Sequence, residues 1–302
     1  GQMGRWHLNA YRANARVEIV AFADTVLENA ESFARESGGH AYRSHTEMIA
    51  KEKLDGVSIC TVPSTHRDLA IAFLSAGIHV LCEKPLAVSA AEAAEMTRKA
   101  REQKRLLLPA FKFRFYDEVR QAKTIIDQGG LGKISTFRLM FAFDNPIQGT
   151  WYATTSLAGG GVIMDSAPPA VDLIHYLFGP ISEISAEVTR SQEVEVEDTA
   201  KLTCRLPNGT VGTIDLSWSV GVPCKTYLEI YGEDGTALLD WEGLSYKFKT
   251  WSQWKRVPNS STIPQAFARQ IDHFLEAMAS GRPLVVGDEH GLKSQEVIDA
   301  AY

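Results

Sequence analysis

The first group in this sequence that could do chemistry is a lysine set between a glutamate and a proline, in Leu81-Cys82-Glu83-Lys84-Pro85-Leu86. The apolar run His79 to Cys82 reads as a buried strand, and an alanine-rich helix is expected from Ser89. Lys84 then leaves the carboxyl end of a strand, the edge where open parallel sheets bind ligands. An ammonium there can hydrogen-bond a reacting oxygen and stabilise negative charge that develops on it. The plain alternative makes Glu83-Lys84 a solvated charge pair and Pro85 a strand terminator. The surrounding chain has to decide between them.

A second stretch runs from Thr150-Trp151-Tyr152 through Gly159-Gly160-Gly161 to Asp165, Pro168, Pro169 and Asp172. Three glycines ahead of an acid and a proline-started helix permit a close backbone approach to something at the helix mouth. Asp165, Pro169, Asp172 and Tyr176 recur at helical spacing and share one face if the helix reaches back to Asp165. In the bland reading Asp165 caps the helix and Asp172 is an exposed acid.

A third group belongs to the amino terminus. Gly1-Gln2-Met3-Gly4 opens a helix expected to run to about Ala13, and Gly-x-x-Gly is the second half of G-x-G-x-x-G, whose glycines let the backbone approach a pyrophosphate on the helix amino terminus. Val17 to Ala23 reads as a buried strand ending at Asp24, about twenty residues on, where a carboxylate would accept hydrogen bonds from a ribose. Asp24 could equally cap the helix Val26 to Glu36. The loop Thr61-Val62-Pro63-Ser64-Thr65-His66 joins a strand end to a helix start, so Thr61, Pro63 and His66 fall at the same sheet edge as Gly1 and Lys84. Capping by Ser64 or Thr65 also accounts for its hydroxyls.

These residues need a scaffold, and the first 111 residues supply one. Strands at Gly56–Thr61, His79–Cys82 and Leu106–Phe111 alternate with helices at Arg67–Ala76 and Ser89–Gln103. That alternation is the signature of βαβ units and a parallel sheet covered on both faces. From about Lys112 the pattern changes to a helix, Asp117–Asp127, and then strands such as Ile134–Phe143, Thr213–Trp218 and Tyr227–Tyr231, with a hairpin at Gly232–Gly235. The expected fold is α/β: a Rossmann-type doubly wound domain over 1–111, then an α+β domain over 112–302 with a mainly antiparallel open sheet. One sheet face should be covered by Leu173–Phe178 and its neighbours, and the tail should form two helices broken at Gly281.

With 302 residues, 45% of them hydrophobic, the chain can bury a large core, and a formal charge of −6 without any basic run speaks against binding nucleic acid or an anionic membrane. No stretch approaches the roughly 20 apolar residues of a membrane span. Cys60, Cys82, Cys204 and Cys224 lack metal-ligand spacing, so no metal site is expected.

In their order and spacing these pieces resemble the glucose-fructose oxidoreductase, inositol dehydrogenase and MocA family (Gfo/Idh/MocA). The likeness covers nearly the whole chain: Gly1-x-x-Gly4, Ala23-Asp24, Ile59 to Pro63 with His66, Glu83-Lys84-Pro85, Arg114-Phe115, Trp151-Tyr152, and Gly159-Gly160-Gly161 leading to Asp165 and Asp172. The resemblance implies an NAD- or NADP-dependent oxidoreductase acting on a sugar, cyclitol or related polyol, cytoplasmic, and assembled as a homodimer or homotetramer. Lys84 and Asp165 would be catalytic. Gly1, Gln2, Met3, Gly4, Asp24, Thr61, Pro63, His66, Glu83 and Lys84 would face the cofactor, and Arg114, Trp151, Tyr152, Asp165 and Asp172, with Lys84, the substrate. Asp24 favours NAD, because a carboxylate repels a 2′-phosphate.

Two departures stand out. Family enzymes commonly carry Asp-x-x-x-His after the triple glycine, the histidine accepting the proton, whereas Asp165 is followed at that spacing by Pro169. Either Lys84 and Asp165 manage the proton through water, or His175 or Tyr176 substitutes, or turnover has been lost and the chain is a binding or regulatory relative. An NAD-dependent glycoside hydrolase is a third reading within the family. The second departure is that the sequence enters the glycine motif half-way, so the strand bearing its first glycine, and any export signal, are expected upstream of Gly1.

Overall fold

A computed structural model describes residues 1–302. The first half alternates as expected: α1 (Gln2–Arg12), β1 (Ala21–Ala23), α2 (Leu27–Ser37), β2 (His40–Tyr42), α3 (His45–Lys51), β3 (Gly56–Ile59), α4 (His66–Ser75), β4 (His79–Cys82), α5 (Ala90–Glu102) and β5 (Leu107–Pro109). Ser89 caps α5 by accepting from the Glu92 N–H at 3.3 Å, as Ser44 caps α3 from Glu47 at 3.1 Å. The short pair β2 and α3 has no clear apolar period in the sequence.

All the strand pairs of this half are parallel, but they form two sheets, β1 with β2 and β3-β4-β5 in that order. β1 and β3 each pair on one side only. The expected strand Val17–Ala23 is shorter: only Ala21–Ala23 is paired, and its residues are half-buried.

The second half is built on α6 (Asp117–Asp127), β6 (Ile134–Ala142), α7 (Thr155–Ala158), α8 (Val162–Phe178), β7 (Glu183–Thr189), β8 (Thr199–Arg205), β9 (Val211–Ser217), β10 (Thr226–Gly232), β11 (Gly235–Asp240), β12 (Gly243–Phe248), β13 (Lys255–Pro258), α9 (Ile263–Ser280) and α10 (Asp288–Ala301). The strands form one eight-stranded sheet in the order β13-β12-β11-β10-β6-β9-β8-β7, antiparallel except where β6 runs beside β9. Alternation sets its faces: in β8, Ala200, Leu202 and Cys204 are buried while Lys201, Thr203 and Arg205 are exposed. The buried face meets Ile163, Val171 and Ile174 of α8 in the largest core.

The tail helices return to the first domain. Phe267, Ile271 and Phe274 of α9 share a core with Ala10, Leu81 and Leu108, and Gly291 of α10 lies so close to Leu86 that a β-carbon there would collide with it. A single boundary at residue 111 misses this return, since the apolar face of α9 finds its partner in α1, β4 and β5 rather than in the sheet that precedes it in sequence.

Candidate active site

Because β3, β4 and β5 run in one direction, their carboxyl ends lie along one edge of the sheet. Thr61, Lys84 and Lys112 each follow one of these ends, and Gly4 in the first turn of α1 lies beside Cys60, just past β3. The sheet edge named by the sequence is therefore assembled from four separate segments.

Lys84 is held from across the domain boundary. Its Nζ lies 2.5 Å from Asp165 Oδ1 and 2.9 Å from the Asp165 carbonyl oxygen, with no other protein partner. Asp165 sits in the first turns of α8, which does reach back to it, and Ser166 donates to its second carboxylate oxygen at 3.1 Å. The Lys84 side chain is 24% exposed and that of Asp165 17%, so the pair is reachable from solvent. Burial works against the ammonium, but Asp165, with help from Tyr152 and Glu83, more than offsets it and raises the Lys84 pKa. Of three ammonium donors two are used, which leaves one for a ligand oxygen.

Glu83 lies beneath this pair. It is 5% exposed, accepts from the Lys84 N–H at 3.1 Å, and stands 3.0 Å from His7 Nε2. The other ring nitrogen of His7 is 2.9 Å from Ser58 Oγ, which in turn is 2.7 Å from the Tyr11 hydroxyl. Burial opposes charge on His7, yet Cys60 and Glu83 beside it lift its pKa to about 10. His66 is fully buried, its ring nitrogens 2.8 Å from the Pro85 carbonyl and 3.1 Å from that of Thr61. Glu83 and His66, expected at the cofactor, both have buried protein partners: Glu83 ties β4 to α1, and His66 ties the Lys84-Pro85 turn to the loop after β3.

Asp172 and Arg114 are likewise not free. The guanidinium donates to both Asp172 oxygens, at 2.6 and 2.8 Å, with the side chains 1% and 5% exposed, and a further N–H reaches the Val285 carbonyl at 3.0 Å. Neither touches Lys84 or Asp165. The pair pins α8 to the turn after β5. His175 and Tyr176, the substitutes considered for the proton acceptor, lie in this region too: Tyr176 stacks under Arg114 at 4.9 Å, and burial with Arg114 nearby pushes His175 down to about 4. They do not reach the lysine site.

Trp151 and Tyr152 are the other two residues expected on the substrate side. They stack on each other at 3.8 Å in a short turn before α7, both half-buried. Tyr152 also packs edge-on against buried Trp218 at 5.8 Å, and its hydroxyl has no protein partner. Burial raises its pKa, with the charge of Asp165 adding to the effect.

The triple glycine approaches the chain itself. Gly159, with φ of +84°, leaves no room for a β-carbon beside Val88 just after the lysine turn, and Gly161 leaves none beside Glu197. Glu197 accepts from the Gly161 and Ile163 N–H groups, each at 3.1 Å, and the Tyr302 hydroxyl accepts from Met164 at 3.2 Å while donating to Glu197 at 2.7 Å. The mouth of α8 is thus filled by protein groups.

The mouth of α1 is different. Gly1 caps it without a side-chain hydrogen bond, the first intrahelical donor is Arg5, and nothing lies within 4 Å of where a Gly1 β-carbon would be. The N–H groups of Gln2, Met3 and Gly4 have no protein acceptor. Such orphan amides at a helix start suit a phosphate. Asp24, at the end of β1, uses one oxygen on the Val26 N–H at 2.9 Å and keeps the other. Thr61 is exposed, its hydroxyl 2.7 Å from that of Thr65, whereas Pro63 is buried.

Sequence reasoning missed Lys112. It is half-buried, lies 5.4 Å from the Phe267 ring, and makes no hydrogen bond or ion pair. Burial lowers its pKa against the pull of Glu83, and it lies near enough to Lys84 and Asp165 to interact with both charges.

Residues 1–111 match the model of an oxidoreductase family described as having an NAD-binding Rossmann fold, and residues 119–238 match the GFO/IDH/MocA C-terminal domain. The chain belongs to the GFO/IDH/MocA family of oxidoreductases. It is 31% identical to trans-1,2-dihydrobenzene-1,2-diol dehydrogenase of Mus musculus, over 80% of this chain and 70% of that one. It is 23% identical to myo-inositol 2-dehydrogenase of Thermotoga maritima, over 96% and 90%. A structure of levoglucosan dehydrogenase in complex with NADH superimposes with a TM-score of 0.91 at 24% identity, covering 99% of this chain and 93% of that one. The fold is that of the family.

Proposed function

We propose that this chain is a nicotinamide-dependent dehydrogenase or reductase of a sugar, cyclitol or related polyol, with Lys84 as the group that binds the reacting oxygen. The observation that carries the reading is the Lys84–Asp165 pair: an ammonium on the ligand-binding edge of the sheet, held charged from the second domain, with one donor left over. That donor would hydrogen-bond the hydroxyl or carbonyl and stabilise oxyanion character as the carbon changes oxidation state. Asp165 keeps the lysine charged and aimed. Trp151 and Tyr152 wall the space beside it, where aromatic faces suit the C–H faces of a sugar ring.

The cofactor-side residues fit the same reading. The uncapped amides of Gln2, Met3 and Gly4 would take the pyrophosphate, Asp24 the ribose hydroxyls, and Thr61 the edge beyond. A bound nicotinamide would supply hydride chemistry; the protein supplies alignment and charge. The free oxygen of Asp24 favours NAD over NADP. Relatives named for oxidising a dihydrodiol and myo-inositol support a vicinal diol or polyol as substrate class.

The test is a panel of polyols and sugars with NAD or NADP, scored by reduced cofactor formed. Turnover of at least one polyol, with NAD preferred, is the expected result. Tight cofactor binding without turnover of any member would favour the binding relative instead.

A further inference from the structure

We propose that Pro169 is a positioning residue that acts through the N–H it lacks, handing the Asp165 carbonyl to Lys84. In an α-helix the carbonyl of residue i accepts from the N–H of residue i+4. For Asp165 that donor would be residue 169, and proline has none. The helix nonetheless continues through Pro168 and Pro169 to Phe178. Deprived of its helical donor, the Asp165 carbonyl accepts from Lys84 Nζ at 2.9 Å, while the carboxylate of the same residue holds that nitrogen at 2.5 Å.

The ammonium is therefore gripped by two oxygens of one residue, fixed relative to each other by the backbone and by Ser166 on the far carboxylate oxygen. Two fixed acceptors set the direction of the third donor, which one carboxylate contact alone would leave free to rotate. Position 169 thus serves the site through its backbone, and Lys84 acts as a permanent cation instead of a proton acceptor. The charged and titratable groups facing Lys84 are Asp165 on α8, Tyr152 on the turn before α7, Glu83 beside it on the chain, and Lys112 after β5.

The grip itself is independent of the dehydrogenase reading; only its catalytic consequence rests on it. The test compares Pro169→Ala with Pro168→Ala in the full chain. Both restore a helix donor and fit a helix, but only the first gives the Asp165 carbonyl a competing N–H. Lysine labelled at Cε and Nζ is followed by NMR across a pH titration, with the Lys84 signal assigned by its absence in Lys84→Arg. Pro169→Ala is expected to lower the Lys84 pKa by about one unit and to speed exchange of its ammonium protons, with Pro168→Ala behaving as wild type. An unchanged Lys84 in Pro169→Ala, or equal changes in both variants, would overturn the proposal. These signals report on the grip even if no polyol is turned over.

Discussion

Lys84 and Asp165, 81 positions apart, meet through two oxygens of the aspartate, one from its side chain and one from its main chain. The contact joins the carboxyl end of β4 to the first turns of α8, so the chemistry proposed for this protein sits on the seam between its domains. What matters for function is then the rigidity of that seam. The residues around it divide into those that hold it together and those left free to meet a ligand.

Arg114 and Asp172 fall among the first. Removing either partner of a buried, bidentate pair strands the other charge, so Arg114→Ala or Asp172→Ala should each cost about 3–5 kcal/mol of stability. Joint replacement by Met and Leu should recover much of that. Thermal denaturation checks the ranking, and kinetics on the surviving folded protein should show KM changed by less than about tenfold. A selective loss of substrate binding in a fully stable variant would return both residues to the substrate site.

His7 and Glu83 give the fold a pH dependence. The His7 pKa rises from 6.5 to about 10 in the folded state, so its stabilisation is fully present below 6.5 and is lost as the pH climbs toward 10. Glu83 is shifted down from 4.5, mainly by His7 against the cost of burial, so its share is present above 4.5 and fades in acid. Chemical denaturation of wild type and His7→Gln between pH 6.5 and 9.5 should show a decline with pH in the wild type that the variant largely lacks.

Glu118 predicts a decline in the same direction, at lower pH. It is 3% exposed, one carboxylate oxygen has no partner, and the other is 3.3 Å from the Tyr227 hydroxyl; burial lifts its pKa from 4.5 to about 7. The folded state keeps this proton after the unfolded chain has lost it, so stability falls as pH rises through that window. Glu118→Gln should stabilise the protein at pH 8 by up to roughly 3 kcal/mol and do little at pH 4.5. Equal effects at both pH values would mean that Glu118 is not a buried charge.

Much of this was legible in the residues. The alternation of short apolar strands with helices named the parallel half, and the edge rule singled out Lys84. The same rule, applied to the charged residue directly after Leu106–Phe111, would have found Lys112. His7 also left a signal, since Gly4, His7 and Tyr11 share one face of α1 and two of them meet Ser58. Other relations left no local trace. That Glu197 and Tyr302 would fill the mouth of α8, or that Arg114 would neutralise Asp172, depends on segments brought together from over 30 to about 140 residues away. The family likeness drew attention to the side chain missing at Pro169. The structure drew it to the missing N–H.

The central claim is that Lys84, held by Asp165, stabilises the reacting oxygen. The most direct measurement is the rate of reduced-cofactor formation by wild type and Lys84→Met on a polyol that the wild type turns over, with cofactor affinity measured in parallel by calorimetry. The account predicts kcat lower by about 10²–10³ in the variant with cofactor affinity changed little. Comparable turnover by both proteins would show that the lysine does not carry the chemistry.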